Sequence, residues 1–414
     1  MLLLGSLSVA ARKSTVIWWT PYATPFYEPW SSWVPKAFME ENPDIDLKVV
    51  PLSWGDLTSK LLPSIAGGNP PDTFQWMSWV GELAVKGAVL PIDKLVASDP
   101  NLNPKDWFPV IWAATTYRGA TYGLPGETDA FVFYWNKNLF SKAGLDPEKP
   151  PRTWGEVDDY AEKLTQKGPD GKYKVIGFIP WVGGRDVIHY GWQNGGEFVD
   201  PTTGDITADA PKNVEALEWE VSYAKKYDIT QIKSFEQQGQ AIASDLFALD
   251  NLAMASMGSW LWSQHDQYGP NVVYGMGLLP TPKEGVQPYV ITSPSVLFIP
   301  LGSKNPEAAY KFMSWYVRNA VLRWALQVGD LVTRPDLVNL PELKGNWKQA
   351  ASYEALKYSK PWPRTPVMSL LDNELNYARD EAIYGKKTAK EALETAQARV
   401  QAEWLKIRKK FTGQ

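Results

Sequence analysis

The chain has 414 residues, 44 % hydrophobic and 21 % charged, with a net charge of −4 at neutral pH. That length exceeds what one hydrophobic core usually supports, so two or more cores are expected. The lack of cysteine excludes disulfides and thiol chemistry, two histidines (His189 and His265) are too few for a multi-histidine zinc site, and the only basic run, Lys406–Lys410, is too short for a nucleic-acid groove.

In chain order, MLLLGSLSVAARKS couples an apolar run to small residues, as in a secretory signal that lacks its basic front. Residues 1–13 are therefore expected to be the remnant of such a signal. No later apolar stretch reaches the ~20 residues that span a bilayer. TVIWWT (Thr15–Thr20) has the pattern of a short strand, and SSWVPKAFMEENPDI that of a helix stopped by Pro43. DLKVVPL is a second strand. Ser53 stands as N-cap of a helix whose Leu57, Leu61 and Ile65 share one face and which Gly67 and Gly68 end. PDTFQW is a third strand. The first hundred residues thus read β-α-β-α-β, a parallel sheet with crossover helices.

GLPGETDAFVFYWNKNLF (Gly123–Phe140) contains an apolar strand with Glu127, Thr128 and Asp129 at its mouth. Two carboxylates beside so apolar a run are costly to bury without partners, and the sequence must give them something to face. Further on, Thr153 and Glu156 form a capping-box pattern, with a helix stop at Gly168. APKNVEALEWEVSYAKKY aligns Val214, Leu217, Val221 and Ala224 on one helical face, and FALDNLAMASMGSWLW passes from helix to strand to turn. SPSVLFIPLG is a strand, Asn305 and Pro306 open a helix, and Thr388 with Glu391 opens a last one striped by Leu393, Ala396, Val400 and Ile407.

Catalytic motifs are missing: there is no G-x-S-x-G elbow, H-E-x-x-H, Walker loop, strand-borne G-x-G-x-x-G or calcium-loop pattern. No cofactor and no metal are expected. A carbohydrate-acting hydrolase stays open, because it needs only two carboxylates. The aromatic content is high, with 21 Trp, 19 Tyr and 14 Phe, which points to a surface or cleft built from flat apolar faces.

Several stretches together resemble the extracytoplasmic sugar-binding proteins of ABC importers, in the family that includes maltose-binding protein. They are FMEENPDI, AGGNPPDTFQW, the GLPGETDAFVFYWNKNLFSKAGLDPEKPPRTWGE segment, NGGEFVD, ALDNLAMASMGSWLW and SKNPEAAYKFMSWY, in the family's order and covering nearly all of the chain after Ser14. The resemblance implies an α/β fold of two lobes, each a β-sheet flanked by helices, with a ligand cleft between them. It places the N-terminal lobe at 14–127 plus 294–334 and the C-terminal lobe at 128–293 plus 335–414. Crossing segments are implied at GETDAF, YVITSPS and LVTRPD, so that Glu127 and Asp129 emerge at the cleft.

The resemblance also implies a role, namely capture of a di- or oligosaccharide by hinge closure and delivery to the membrane subunits of an ABC importer. The protein would be an extracytoplasmic, secreted monomer that does not act on nucleic acid. A sugar offers apolar C–H faces for aromatic rings and a belt of hydroxyls for carboxylates and amides. The candidate ligand residues are Trp18 or Trp19, Trp54 and Trp76 at the ends of the first three strands, Glu127 and Asp129, Trp181 and Trp192, Trp260 in GSWLW, and Asp372 with Asn373. Arg185, His265 and Arg334 read as structural or solvent-exposed. Other solutes on the same fold remain alternatives: polyamines, compatible solutes, peptides or glycerol phosphates. A cation would use an aromatic cage with acids, and a phosphate would need arginine or a helix N-terminus.

Overall fold

The computed structural model describes residues 13–22, 27–237 and 244–412. The expected signal remnant, save Lys13, lies outside them. Two five-stranded sheets organise the chain. The first has the order Ile45–Pro51, Ser14–Thr20, Thr73–Met77, Ser295–Phe298, Gly123–Pro125. Its first three strands are parallel, as the β-α-β-α-β pattern requires, and Ser295–Phe298 runs antiparallel to both of its neighbours. The second has the order Tyr274–Gly277, Phe131–Asn136, Leu252–Gly258, Tyr173–Phe178, Gln166–Lys167.

Each sheet is covered by helices, giving the two-lobed fold. One core lies where helix Pro306–Val328 packs on the first sheet, among Trp18, Trp30, Phe38, Phe312 and Tyr316. The other surrounds the second sheet and continues through Trp76 and Trp79 to the opposite face of the first. Helices Met368–Ile383 and Ala389–Thr412 pack against one another and against Pro211–Lys226.

Local signals act largely as the sequence suggests. The Ser53 hydroxyl accepts from Asp56 N at 3.0 Å. Thr153 and Glu156 close a reciprocal capping box, and Thr388 and Glu391 do the same. Two expectations are corrected. The helix after Thr153 ends at Leu164, and Gly168 instead turns the chain back, its N–H donating to Lys172 O at 2.8 Å. Asn305 stands before its helix, but its amide donates to Thr15 O at 2.9 Å instead of capping.

Three stretches lie side by side between the lobes. Thr128 and Leu331 exchange both backbone hydrogen bonds, at 3.0 and 2.7 Å. Ser295 N donates to Glu127 O at 2.9 Å, and the Thr333 hydroxyl donates to Gly126 O at 2.8 Å. These are the segments around GETDAF, YVITSPS and LVTRPD.

Candidate functional site

A cavity of about 400 Å³ opens beside these three segments. It falls within the ~300–1,000 Å³ usual for small-molecule sites. Its first-lobe wall is aromatic. Trp324 rises from helix Pro306–Val328, with Tyr22 at a ring-centre distance of 4.2 Å and Tyr27 stacked at 5.3 Å. Trp54 stands edge-on to Tyr22 at 6.2 Å and is 39 % exposed. Met77 completes this side. The opposite wall carries Trp260, Leu261 and Gln264.

Trp260 owes its place to Gly258. A Cβ there would lie 1.9 Å from the indole, so a side chain and this ring pose are incompatible. Behind the ring, Phe131 packs edge-on at 5.9 Å.

The floor is polar. Gly183, Gly184 and Arg185 take successive positive φ values of 102°, 75° and 61° and turn the chain into helix Asp186–Gln193. For a non-glycine residue this left-handed backbone costs about 1 kcal/mol or more. The turn directs the Arg185 guanidinium into the cavity, where its Nη1 meets Asp129 Oδ2 at 2.8 Å. The guanidinium lies 5.0 to 5.8 Å from the ring centres of Phe131, Trp362 and Trp260. Asp129 Oδ1 accepts from Ser293 N at 2.9 Å. Burial pushes the Asp129 carboxyl up, and Arg185 with the Ser293 N–H pulls it back.

Glu127 behaves differently. Its Oε1 accepts from Tyr22 Oη, from Gln75 Nε2 at 2.8 Å and from Ser295 Oγ at 2.6 Å. Its Oε2 accepts from Tyr316 Oη at 3.0 Å. A carboxylate has about four acceptor sites. Four protein donors hold it, three on Oε1 and one on Oε2, so Glu127 borders the cavity as a structural hub. Burial raises its carboxyl, and the hydroxyl donors offset part of that rise. Asp330 completes the acidic set and accepts from Trp324 Nε1 at 2.7 Å. Burial first, then the Asp129 charge, pushes its carboxyl well above the usual carboxylate range.

Of the sequence candidates, Trp54, Trp260, Glu127 and Asp129 come together at the cavity. The others do not line it. Trp18 is fully buried between Trp30, Phe312 and Tyr316, and Trp19, on the alternate face, packs half-buried against the other core. Trp76 is 3 % exposed and sits edge-on to Trp79, one residue out of register with Met77. Trp181 is buried, donating to Glu236 Oε1 at 2.8 Å, and Trp192 is buried on its helix with the Lys360 ammonium 5.5 Å from the ring centre. Asp372 is half-buried on helix Met368–Ile383, its carboxyl raised to about 6 by burial, while Asn373 faces solvent. His265 is buried and Arg334 pairs with Asp336 at 2.7 Å, as the structural reading has it, but Arg185 is a cavity residue.

Tyr22, Tyr27, Gln264, Trp324, Arg185 and Asp330 were not singled out as ligand groups. Asp330 had a signal, since it directly precedes the third crossing segment. Trp324 had none, because it occupies the interior of an apolar helix.

Comparison with known proteins places this geometry among relatives. A family model described as bacterial extracellular solute-binding protein matches residues 20–322. A solved protein with mannotriose bound superposes with a TM-score of 0.85 at 29 % identity, over 94 % of this chain and all of the other. The maltotriose-binding protein of Pyrococcus abyssi is 24 % identical over 361 residues, 86 % of this chain and 74 % of its own. The sn-glycerol-3-phosphate-binding periplasmic protein of Escherichia coli K12 is 25 % identical over 395 residues, 87 % of this chain and 86 % of its own.

Proposed function

The chain belongs to the family of bacterial extracellular solute-binding proteins, and from that premise we propose that it captures a di- or oligosaccharide between its lobes for an ABC importer. One observation carries the sugar reading. Aromatic faces from both lobes border one cavity, Trp54 and Tyr27 on the first with the buried Tyr22 and Trp324 packed behind them, and Trp260 on the second, above a floor of carboxylates, hydroxyls and the Arg185 guanidinium. Flat rings suit the C–H faces of a pyranose, and the polar floor suits its hydroxyl belt. The neighbour bound to mannotriose supports the same ligand class.

A glycerol phosphate fits less well. Its dianion needs unpaired donors or cations, whereas among the described residues the cavity holds one cation, Arg185, already paired with Asp129 beside two further acids. The hydrolase reading also weakens, because Glu127 is tied down by four protein donors, three on Oε1 and one on Oε2. We place the lobe boundaries near 127/128, 293/294 and 334/335. Ligand touching both lobes favours the closed arrangement, which the transporter then recognises. The protein acts outside the cytoplasm as a monomer. No helix among the described residues is long and apolar enough to cross a membrane.

A thermal-shift panel of mannobiose, mannotriose, maltose, maltotriose and sn-glycerol 3-phosphate tests this proposal. A ligand at 100 times its Kd stabilises by about 2.7 kcal/mol. The expected result is a shift with at least one oligosaccharide and none with the phosphate. A shift with the phosphate alone would contradict it.

A further inference from the structure

Helix Met368–Ile383 has no side-chain cap of its own. Val367 stands at its N-cap, and its first turn holds no acidic residue. The cap comes from far away in the chain. Ser369 N donates to Glu82 Oε2 at 2.8 Å, and the Ser369 hydroxyl donates to Glu82 Oε1 at 2.6 Å, across 287 positions of sequence. Glu82 is 3 % exposed and sits on helix Val80–Val85, directly after strand Thr73–Met77 of the first sheet. Helix Met368–Ile383 packs instead on Ala389–Thr412 and Pro211–Lys226. With the lobe boundaries placed as above, the pair spans the two lobes.

The pair ends a strip of contacts that starts at the cavity. The Trp362 ring centre lies 5.4 Å from the Arg185 guanidinium and 5.9 Å from that of Trp79, edge-on. Next along, a Cβ on Gly81 would stand 3.7 Å from Thr365 O. Then Glu82 meets Ser369. Met77, two residues before Trp79, lines the cavity, as Arg185 does. The strip therefore borders the ligand space, whose floor holds Glu127, Thr128, Asp129, Ser293 and Ser295 of the crossing segments. Turning the lobes apart about those segments opens the ligand side and separates groups that face each other there. Glu82 then keeps Lys86, four residues on in its own helix at 2.6 Å, while Ser369 loses its acceptor.

Resting on the reading that the lobes close on a saccharide, we infer that Glu82 is a positioning residue for capture: it caps helix Met368–Ile383 from the opposite lobe and latches the closed arrangement without touching the ligand. A carboxylate suits the task. The first N–H groups of a helix have no partner within it and lie at the positive end of its dipole, so an anion there is held by charge as well as by hydrogen bonds. A contact made only in the closed form raises the apparent affinity, because the ligand no longer supplies that share of the closure. Its effect falls on release, since the sugar leaves only when the lobes part.

The test measures Glu82→Gln, Ser369→Ala and the double variant by calorimetry and stopped-flow with whichever of mannotriose or maltotriose binds the native protein, and by small-angle X-ray scattering with and without that sugar. Each single variant should bind about 10-fold more weakly, the scale of one hydrogen bond to a charged group, with the loss in the dissociation rate. The double variant should lose less than the product of the two, as partners in one contact do. Ligand-free melting should stay near native, because the open form does not use the pair. Folded variants that release the sugar at the native rate, or that bind it more tightly, would overturn the inference. So would a lower ligand-free melting temperature with native release, which marks a merely structural contact. Failure of both trisaccharides to bind native protein would refute the sugar reading instead. Native protein that binds without compacting would refute closure, and the latch with it.

Discussion

Replacing Glu127 separates a structural hub from a ligand group. In Glu127→Ala the hydroxyls of Tyr22, Ser295 and Tyr316 lose their acceptor, and Gln75 loses one of its three. An orphaned buried polar group costs about 1–3 kcal/mol. Three such groups, partly rescued by rotation and entering water, give about 3–5 kcal/mol, which matches the cost of breaking a buried charged network. For a chain of this size each kcal/mol moves the melting temperature by about 1 °C, so a drop of about 3–6 °C is expected. Glu127→Gln keeps one acceptor for the Oε1 trio and presents an amide that the Tyr316 hydroxyl can accept, at a cost of about 1–2 kcal/mol. Thermal melts measure the first effect and calorimetric titration with the cognate sugar the second. The glutamine variant should melt lower yet bind nearly as native. A glutamine variant with native stability and a hundredfold loss of affinity would refute the hub assignment and return Glu127 to the ligand set.

Other predictions follow from the same geometry. Trp54→Ala and Trp260→Ala should each weaken sugar binding by about 5-fold or more with modest change in melting, given ~1 kcal/mol or more for a lost ring contact. Trp76→Ala should do the reverse, costing about 3–5 kcal/mol of stability as a buried aromatic with affinity little changed. Gly258→Ala should weaken binding as Trp260→Ala does, because the added Cβ and the indole would be 1.9 Å apart. His265, buried with neither ring nitrogen hydrogen-bonded, has its pKa lowered from 6.5 to about 4 by burial. Its folded value lies below the unfolded one, so there is no protonation-linked penalty above pH 6.5 and stability is lost as pH falls toward 4. The full loss is about 3 kcal/mol at ~1.4 kcal/mol per unit. His265→Leu should therefore melt with a flatter acid limb than native in a pH series.

The fold was legible because its punctuation is local. Ser53, the Thr153–Glu156 box and the Thr388–Glu391 box all cap the helices the sequence assigns them. The site was legible only where chain direction decides it. Asp129 stands at a crossing segment and Trp260 follows a strand and a glycine, and both reach the cavity. Trp18 and Trp76 failed for a physical reason: both faces of the first sheet are covered, so alternation along a strand shows no polar side to mark the cleft. Glu127 borders the cavity, but its hold by Tyr22, Gln75, Ser295 and Tyr316 depends on residues up to 189 positions apart, which no local pattern reports. Arg185 was hidden by its left-handed turn, since the direction of a side chain after two glycines is set by backbone angles.

A crystal structure of the protein grown with a saturating oligosaccharide would test the central claim most directly. The account predicts sugar rings lying against Trp260 on one side and against Trp54 and Tyr27 on the other, with hydroxyls turned to the floor of Asp129 and Arg185. Sugar bound elsewhere on the surface, with this cavity filled by water alone, would contradict it.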